Sequence, residues 1–590
     1  MSSTEKVNIV DKHVSKKMGE ARKLVDRGIY PQAIVVLKEI IDSNPELSDA
    51  FYLIGYSYIN QGSYSDGAAY LLKAIELNSE EAQYHSILGF AYVKISRIDL
   101  AIKSYKSSLA LDGDNTLALT GLGDLYHQRG QLTLAHELYA HAVEVKPSMT
   151  NAQIMLARVL SDLGEYEKAV EHAKKAVRQT PNDSNTVGMY ARIHLIGGNI
   201  EEAKKLFLKS INLNNKNGIS FSEYVSIQKI TDKDDPIIKA MEKTLKSGMP
   251  ARDRMTMHFA LGKAYNNCKQ WDKAFENFDK GNRLYPGEYN TKIELRFLKE
   301  IKKLFTASFI NQYAKLSNCS ESPIFIIGMP RSGSTLIDQV LSSHSKVYSV
   351  GESRALTDVI ESLSANSGIK SFPQNVVNIT QEIIDASSKK YFEITREDAG
   401  DAVRIVNKML FTHFYLGFVA MLFPNAKIIN CNRNPLDNCL SIFFTDLEIN
   451  SAADEWSSSL KTIGFRYKQY NKLMQYWKKT LNLQILDVQY ENMVENLEEN
   501  ARQIIKHCGL EWEPQCLEFY KSKRSVQTAS VSQVRRPIYK TSVSRWVPYA
   551  KHLTPLVEEL GDLVEGDYEQ LRELGCNFKV KNKGMFKRFF

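Results

Sequence analysis

The sequence predicts two architectures in series, an α-helical solenoid followed by an α/β domain with a central parallel sheet. Three observations carry this. Small and aromatic residues recur every 34 positions in the first half, as Gly55, Gly89 and Gly123 and as Tyr58, Tyr92 and Tyr126. The second half alternates helical stretches with short apolar runs, of which Lys427 to Asn432 and Leu483 to Val488 are the clearest. Between the halves, Pro323-Ile324-Phe325-Ile326-Ile327 is an apolar run that ends at Gly328, with an amphipathic helix from about Ser334. That order is strand, tight loop, helix.

The repeat continues later in each unit, where Ala101, Ala135, Ala169 and Ala203 keep the same step, as do Pro147 and Pro181. This is similar to the tetratricopeptide repeat (TPR) pattern. A small residue lets the two helices of a hairpin cross closely, the tyrosine is expected to fill the groove between them, and the proline stops the second helix. Units begin near Val14, Ser48, Ala82, Thr116, Thr150 and Ser184, the first marked by Ala33 and Pro45. A seventh starts near Met255, with Gly262, Tyr265, Ala274, Phe278 and Pro286 in the corresponding places. From Gly218 to Arg254 the pattern degrades, and Asp232 to Pro236 marks an irregular insert or a helix pair with atypical packing. Each unit buries its apolar face only against its neighbours, so a right-handed superhelix with a concave groove is expected. Such grooves commonly hold peptides or partner proteins; a spacer or dimerisation element is the alternative. The expected boundaries are 1–290 for the TPR superhelix, 291–320 for a helical connector and 321–590 for the α/β domain.

Gly328 and Gly333 flank four residues as in a P-loop, and Ser334-Thr335 follow, but the P-loop lysine is missing. The cation is Arg331, two residues before the second glycine. A loop of this kind aims backbone N–H groups and the positive end of a helix dipole at an anion. Further on, a strand at Lys427 to Asn430 is followed by Arg433, a turn at Asn434-Pro435 and a helix carrying Ser441. An arginine and a serine eight positions apart across such a turn can converge on one phosphate, the arginine as a bidentate fork.

Pro-Arg-Ser-Gly-Ser-Thr at 330–335, Gly-Glu-Ser-Arg at 351–354, Asn407-Lys408, Arg433-Asn434-Pro435 with Ser441, and a late loop ending in Ser544-Arg545-Trp546 together form a larger pattern. From about Ser320 onward the chain resembles the sulfotransferases that use 3′-phosphoadenosine 5′-phosphosulfate (PAPS), in detail the tyrosylprotein sulfotransferases. The whole chain is similar to bacterial TPR-containing sulfotransferases. The resemblance implies that Arg331, Ser332, Gly333, Ser334 and Thr335 hold the 5′-phosphosulfate and that Arg433 and Ser441 hold the 3′-phosphate. It puts Tyr490 at the adenosine and Ser530, Gln533, Val534, Arg535 and Arg545 in a loop over the donor, with Ser530 near the sulfate. It makes Glu352, 21 residues after Arg331, the general base, and Lys408 the cation that supports the bridging oxygen. Arg354 is then an acceptor-binding residue. The pattern departs from the family at Gly351-Glu352-Ser353-Arg354, where two adjacent glutamates are common, at Met409-Leu410, where Asp-Pro is usual, and at Arg545, where a lysine stands. No metal is implied. His413 offers itself as a base by analogy with cytosolic sulfotransferases, but Phe411 and Phe414 beside it suggest core packing.

Composition bounds the rest. With 590 residues, 43% hydrophobic and 24% charged, the chain reads as an ordinary globular protein of two or more domains. The net charge of +8 suits an anionic donor or acidic acceptor and equally a solvated mixed surface, and no arginine-rich arm or lysine run points to nucleic acid. Seven sparse cysteines read as reduced thiols. The N-terminus lacks an apolar export core, and the longest apolar stretch, Phe414 to Phe423, is too short to span a bilayer, so no transmembrane segment and a cytoplasmic location are expected. The basic, aromatic tail from Lys579 to Phe590 reads as a solvated terminus, with weak contact to an anionic membrane as the alternative. The expected function is transfer of a sulfuryl group from PAPS to a protein or peptide tyrosine held partly by the TPR groove, giving 3′-phosphoadenosine 5′-phosphate (PAP). A homodimer is compatible with this. The alternatives are a carbohydrate or small-molecule acceptor, a non-catalytic scaffold that senses PAP or PAPS, and, against the missing lysine, a kinase.

Overall fold

A computed structural model describes residues 3–285, 287–314, 320–367, 371–447, 452–521 and 542–579. The architecture is a helical-hairpin solenoid followed by an α/β domain on a five-stranded parallel sheet. The chain divides into two compact units, Met1–Gly197 and Gly198–Phe590.

In the first unit the hairpins keep the register expected of the repeat, with first helices Ser48–Asn60, Ala82–Lys94, Thr116–Gln128 and Thr150–Asp162. The small position does bring the helices together. A Cβ on Gly55 would stand 2.9 Å from the carbonyl oxygen of Gly67, and one on Gly89 would stand 2.7 Å from the Tyr105 ring. The ring that meets the glycine therefore comes from the second helix of the hairpin, as Tyr105 and Tyr139, both buried. Tyr58, Tyr92 and Tyr126 are only half-buried, and Tyr58 stacks on Tyr70 with ring centroids 5.5 Å apart. The inter-helix turn has a 34-step of its own: Gly62, Gly130 and Gly164 are left-handed there, with φ of 84°, 73° and 83°, and Ser96 takes the same conformation at φ 58°.

The second unit opens with further hairpins. The degenerate stretch is a helix pair, Gly218–Ile227 and Pro236–Leu245. Asp235 starts its second helix by accepting from the Ile237 N–H at 2.8 Å, with Pro236 in the first turn where its missing N–H costs nothing. The last hairpin, Ala251–Asn267 and Trp271–Asn282, repeats the glycine-to-ring contact, a Cβ on Gly262 falling 2.9 Å from Phe278. Pro286 lies outside the described residues. Helices Thr291–Leu304 and Ala307–Ala314 lead to the sheet.

Five strands, β1 (Pro323–Gly328), β2 (Val347–Gly351), β3 (Arg404–Asn407), β4 (Lys427–Asn432) and β5 (Gln484–Gln489), pair in the order β2-β3-β1-β4-β5, all parallel. Central β1 is buried throughout, which is why it reads as an unbroken apolar run. Its alternate residues serve two cores. Ile324 and Ile326 join Val340, Ile429 and Ile504 on one face, while Phe325 and Ile327 join Phe418, Ile428 and Trp477 on the other. The second of these cores continues into the last repeat hairpin through Phe259 and Phe278. Phe278 stacks on Phe444 at 4.1 Å, the Asn282 side chain donates to the Phe443 carbonyl at 2.8 Å, and the Tyr285 hydroxyl donates to Asp446 at 2.8 Å. Among the described residues no helix is long and apolar enough to cross a membrane.

Candidate functional site

The connection after β1 runs to β2 on one side of the sheet and that after β4 runs to β5 on the other, so the carboxyl ends of these neighbouring strands open a crevice. The loop after β1 enters it with Arg331 at φ 67° and Gly333 at φ 99°. The helix that follows, Ser334–Ser342, has no side-chain cap on its first N–H groups and no acid in its first turn. Left-handed residues inside such a loop turn successive N–H groups to one side, and the uncapped helix adds the positive end of its dipole. Ser332, Ser334 and Thr335 are buried, and the Ser332 hydroxyl has no hydrogen-bond partner among the described residues. A Cβ at Gly333 would lie 2.4 Å from Cδ2 of Tyr490, so this ring closes the loop from the β5 side.

The loop after β4 meets this cradle. Arg433 donates to the Arg331 carbonyl at 2.9 Å and to the Ser542 carbonyl at 2.6 Å, and its guanidinium lies 4.8 Å from the Tyr490 ring centroid. Its buried Nε has no partner among the described residues. Arg331 Nε donates to Ser441 Oγ at 3.4 Å. The expected residues Arg331, Gly333, Arg433, Ser441 and Tyr490 thus form one cluster.

Two residues that sequence reasoning missed build it. The Asn438 side chain donates to the Pro330 carbonyl at 2.9 Å, holding the β1 loop to the helix Pro435–Phe443. Buried Asp437 accepts from the Ser544 N–H at 2.7 Å and the Trp546 N–H at 2.9 Å, anchoring the backbone on both sides of Arg545. Burial pushes the Asp437 carboxyl above its ordinary range, while Arg433 and these two N–H groups pull it back. In the sequence both look like the polar first turn of a helix capped by Asn434, so no signal sets them apart. Arg545 is half-buried, 5.4 Å from the Phe444 ring centroid. Ser530, Gln533, Val534 and Arg535 lie outside the described residues.

The ends of β2 and β3 carry the second cluster. Lys408, 1% exposed, forms an ion pair with the half-exposed carboxylate of Glu352. The Lys408 N–H donates to the Gly351 carbonyl at 2.8 Å, and buried Asn407 donates to the Ser353 carbonyl at 3.3 Å while accepting from the Met409 N–H at 3.0 Å. Ser349 in β2 donates to Asp338 at 2.5 Å, linking this strand to the helix after the β1 loop. Arg354 points elsewhere, paired with Glu361 at 3.0 Å and Asp358 at 3.6 Å on the helix Ala355–Ser367 that it precedes. His413 is buried against Phe414 and Tyr470 and donates from Nδ1 to the Leu410 carbonyl at 2.9 Å; burial pushes its pKa down to about 3. It is a neutral core residue. Because β3 neighbours β1, the carboxylate–ammonium pair opens on the same edge of the sheet as the anion cradle.

Residues 323–514 match the model of the sulfotransferase family, and residues 18–82, 88–152, 128–187 and 186–217 match tetratricopeptide repeat models. The second half therefore carries a sulfotransferase-family domain behind a tetratricopeptide array. An uncharacterized protein of Aquifex aeolicus is 33% identical over 334 residues, 55% of this chain and 44% of that protein. A protein-tyrosine sulfotransferase of Drosophila melanogaster is 27% identical over 245 residues, 38% of this chain and 46% of that protein. The chain thus spans less than half the length of either. Among solved structures, that of MamA is 25% identical, covering 28% of this chain and 91% of that one at a TM-score of 0.26. The matched part of the sulfotransferase domain includes Arg331, Glu352, Lys408, Arg433, Ser441 and Tyr490, while Arg545 lies beyond it.

Proposed function

We propose that this protein transfers a sulfuryl group from PAPS to a hydroxyl acceptor, a tyrosine of a peptide or protein in the first instance, and releases PAP. The observation that carries this reading is the meeting of the two anion-binding loops, Arg331 Nε at 3.4 Å from Ser441 Oγ and Arg433 at 2.9 Å from the Arg331 carbonyl. Two loops in contact suit one bisphosphorylated nucleoside. The orphaned Ser332 hydroxyl and Arg433 Nε, with the uncapped helix N–H groups, are donors without acceptors that such a molecule would satisfy.

PAPS supplies the activated sulfuryl group. In the reaction the acceptor oxygen forms its bond to sulfur as the bond from sulfur to the bridging oxygen breaks, and that electron pair leaves on the 5′-phosphate of PAP. Arg331 and the loop N–H groups hold the 5′ end, Arg433 and Ser441 the 3′-phosphate, and Tyr490 the adenosine. Glu352 takes the proton of a phenol whose ordinary pKa is about 10, a role worth roughly 10²- to 10⁴-fold. Lys408 answers the charge that builds on the leaving oxygen. The late loop, with Ser530, Gln533, Val534, Arg535 and Arg545, covers the donor. The repeat array binds the protein that carries the acceptor. Six free cysteines among the described residues agree with a reducing compartment, and the reading places the enzyme in the cytoplasm.

A carbohydrate or small-molecule acceptor is the second reading. It is favoured by the pairing of Arg354 with Glu361 and Asp358, which leaves this charge answered without an acidic peptide. Incubation with labelled PAPS and cell extract, followed by mass spectrometry of the labelled product, separates the two. Label on protein tyrosine supports the first, and label confined to glycan or metabolite fractions rejects it. PAPS binding without transfer to any acceptor, unchanged in Glu352→Gln, rejects an enzyme altogether.

A further inference from the structure

The last repeat hairpin belongs to the same compact unit as the sulfotransferase domain, and its first helix, Ala251–Asn267, turns one polar stripe toward it. Arg252 and Thr256 bond to Asp446 at 3.0 and 3.3 Å, and Asn266 accepts from the Tyr549 hydroxyl at 2.8 Å. At 3.6 residues per turn, positions 252, 256, 263 and 266 fall within an arc of about 80°. Lys263 is therefore in the middle of this stripe, between a contact to the segment just after the Ser441 helix and a contact to the segment just after Arg545. Its side chain keeps solvent access. Its charged neighbours are Glu223, Arg331 and Arg545.

We infer that Lys263 is a donor-binding residue of the sulfotransferase site: the final repeat supplies a cation that, with Arg331 and Arg545, grips the anionic 5′ end of the nucleotide. Arg331 and Arg545 both act on Lys263 as like charges, and Glu223 acts on it as the opposite charge. A polyanion placed among them relieves that repulsion, as it does in other cation-lined clefts. The protein packed around the base of this side chain, with Arg331 and Arg545, holds its pKa down to about 8, while Glu223 acts the other way. The orphaned Ser332 hydroxyl and Arg433 Nε are independent signs that an anion belongs here.

The inference rests on the donor reading above. Its test uses the full chain as wild type, Lys263→Met and Lys263→Arg, with PAP as probe, calorimetric affinity as the first readout and competitive acetylation of Lys263 as the second. Lys263→Met is expected to weaken PAP binding by about 10- to 100-fold, the range of a lost charge-assisted contact. Lys263→Arg should recover most of this, and PAP should shield Lys263 from acetylation relative to exposed Lys246. Wild-type and Lys263→Met proteins of equal melting temperature and equal PAP affinity would overturn the inference while leaving the donor reading intact. Failure of the wild-type protein to bind PAP overturns both.

Discussion

Gly333 shows how narrowly single residues are constrained here. It combines φ 99° with a Tyr490 carbon 2.4 Å from where a Cβ would stand. Gly333→Ala is expected to cost about 1–3 kcal/mol, the range for a strained left-handed residue, and to weaken PAP binding as the loop is pushed off Tyr490. Thermal melting and PAP titration of one preparation measure both. Glu352→Gln should lower kcat by about 10²- to 10⁴-fold with PAP affinity near wild type, since this carboxylate pairs with Lys408 at the β2–β3 end and not with the Arg331–Ser441 cluster. A proportionate loss of PAP affinity would place Glu352 at the donor instead. Lys263 carries a pH prediction. Its ammonium, held down to about 8 by the protein packed around its base and by Arg331 and Arg545 against Glu223, is charged below that pH and lost above it. PAP affinity should be full at pH 7 and fall as the pH rises through about 8, and Lys263→Met should flatten that fall.

At the scale of elements, the repeat turn offers a test free of the active site. Ser96 occupies at φ 58° the place that glycine holds in Gly62 and Gly130. A left-handed non-glycine residue costs about 1–2 kcal/mol, and a glycine loses about 0.5–1 kcal/mol more backbone entropy on folding. Ser96→Gly should therefore stabilise by about 0.5–1 kcal/mol, read as a shift of the denaturation midpoint at unchanged slope. The elements were unevenly legible in sequence. The hairpins show because Gly55, Gly89 and Gly123 must each meet a neighbouring helix, and that demand recurs at a fixed step. Strands β1 and β4 show because both faces of the sheet bury them. Strands β2 and β3 do not, since five and four residues that include Ser349, Arg404 and Asn407 set no period of their own. The groove-filling role expected of Tyr58 belongs to rings such as Tyr105, because both are aromatic at the same step and spacing alone cannot say which helix face each occupies.

At the scale of the molecule, the repeat motif and the packing divide the chain at different places. The motif continues to Phe278 and beyond, whereas the compact unit containing the sheet starts at Gly198. Phe278, Asn282 and Tyr285 are fastened to Phe444, Phe443 and Asp446, and the core is continuous across them. A fragment from residue 198 onward should melt cooperatively, and one from 291 onward should not, because it loses buried aromatic contacts worth about 3–5 kcal/mol for a single Phe→Ala change. Calorimetry of the two fragments checks this, and equal cooperative transitions would show that the sheet needs none of the repeats. By itself the sequence determined the order of the two architectures, the strand–loop–helix turn at Arg331 and the strand–turn–helix that carries Arg433 and Ser441, because each rests on local spacing that backbone geometry reads directly. Only the tertiary structure decided that Asn438 and Asp437, neighbours on one helix, fasten the loop at Pro330 and the backbone around Arg545 to it, because those partners are about a hundred residues away and no short-range pattern records which distant segments a helix comes to hold.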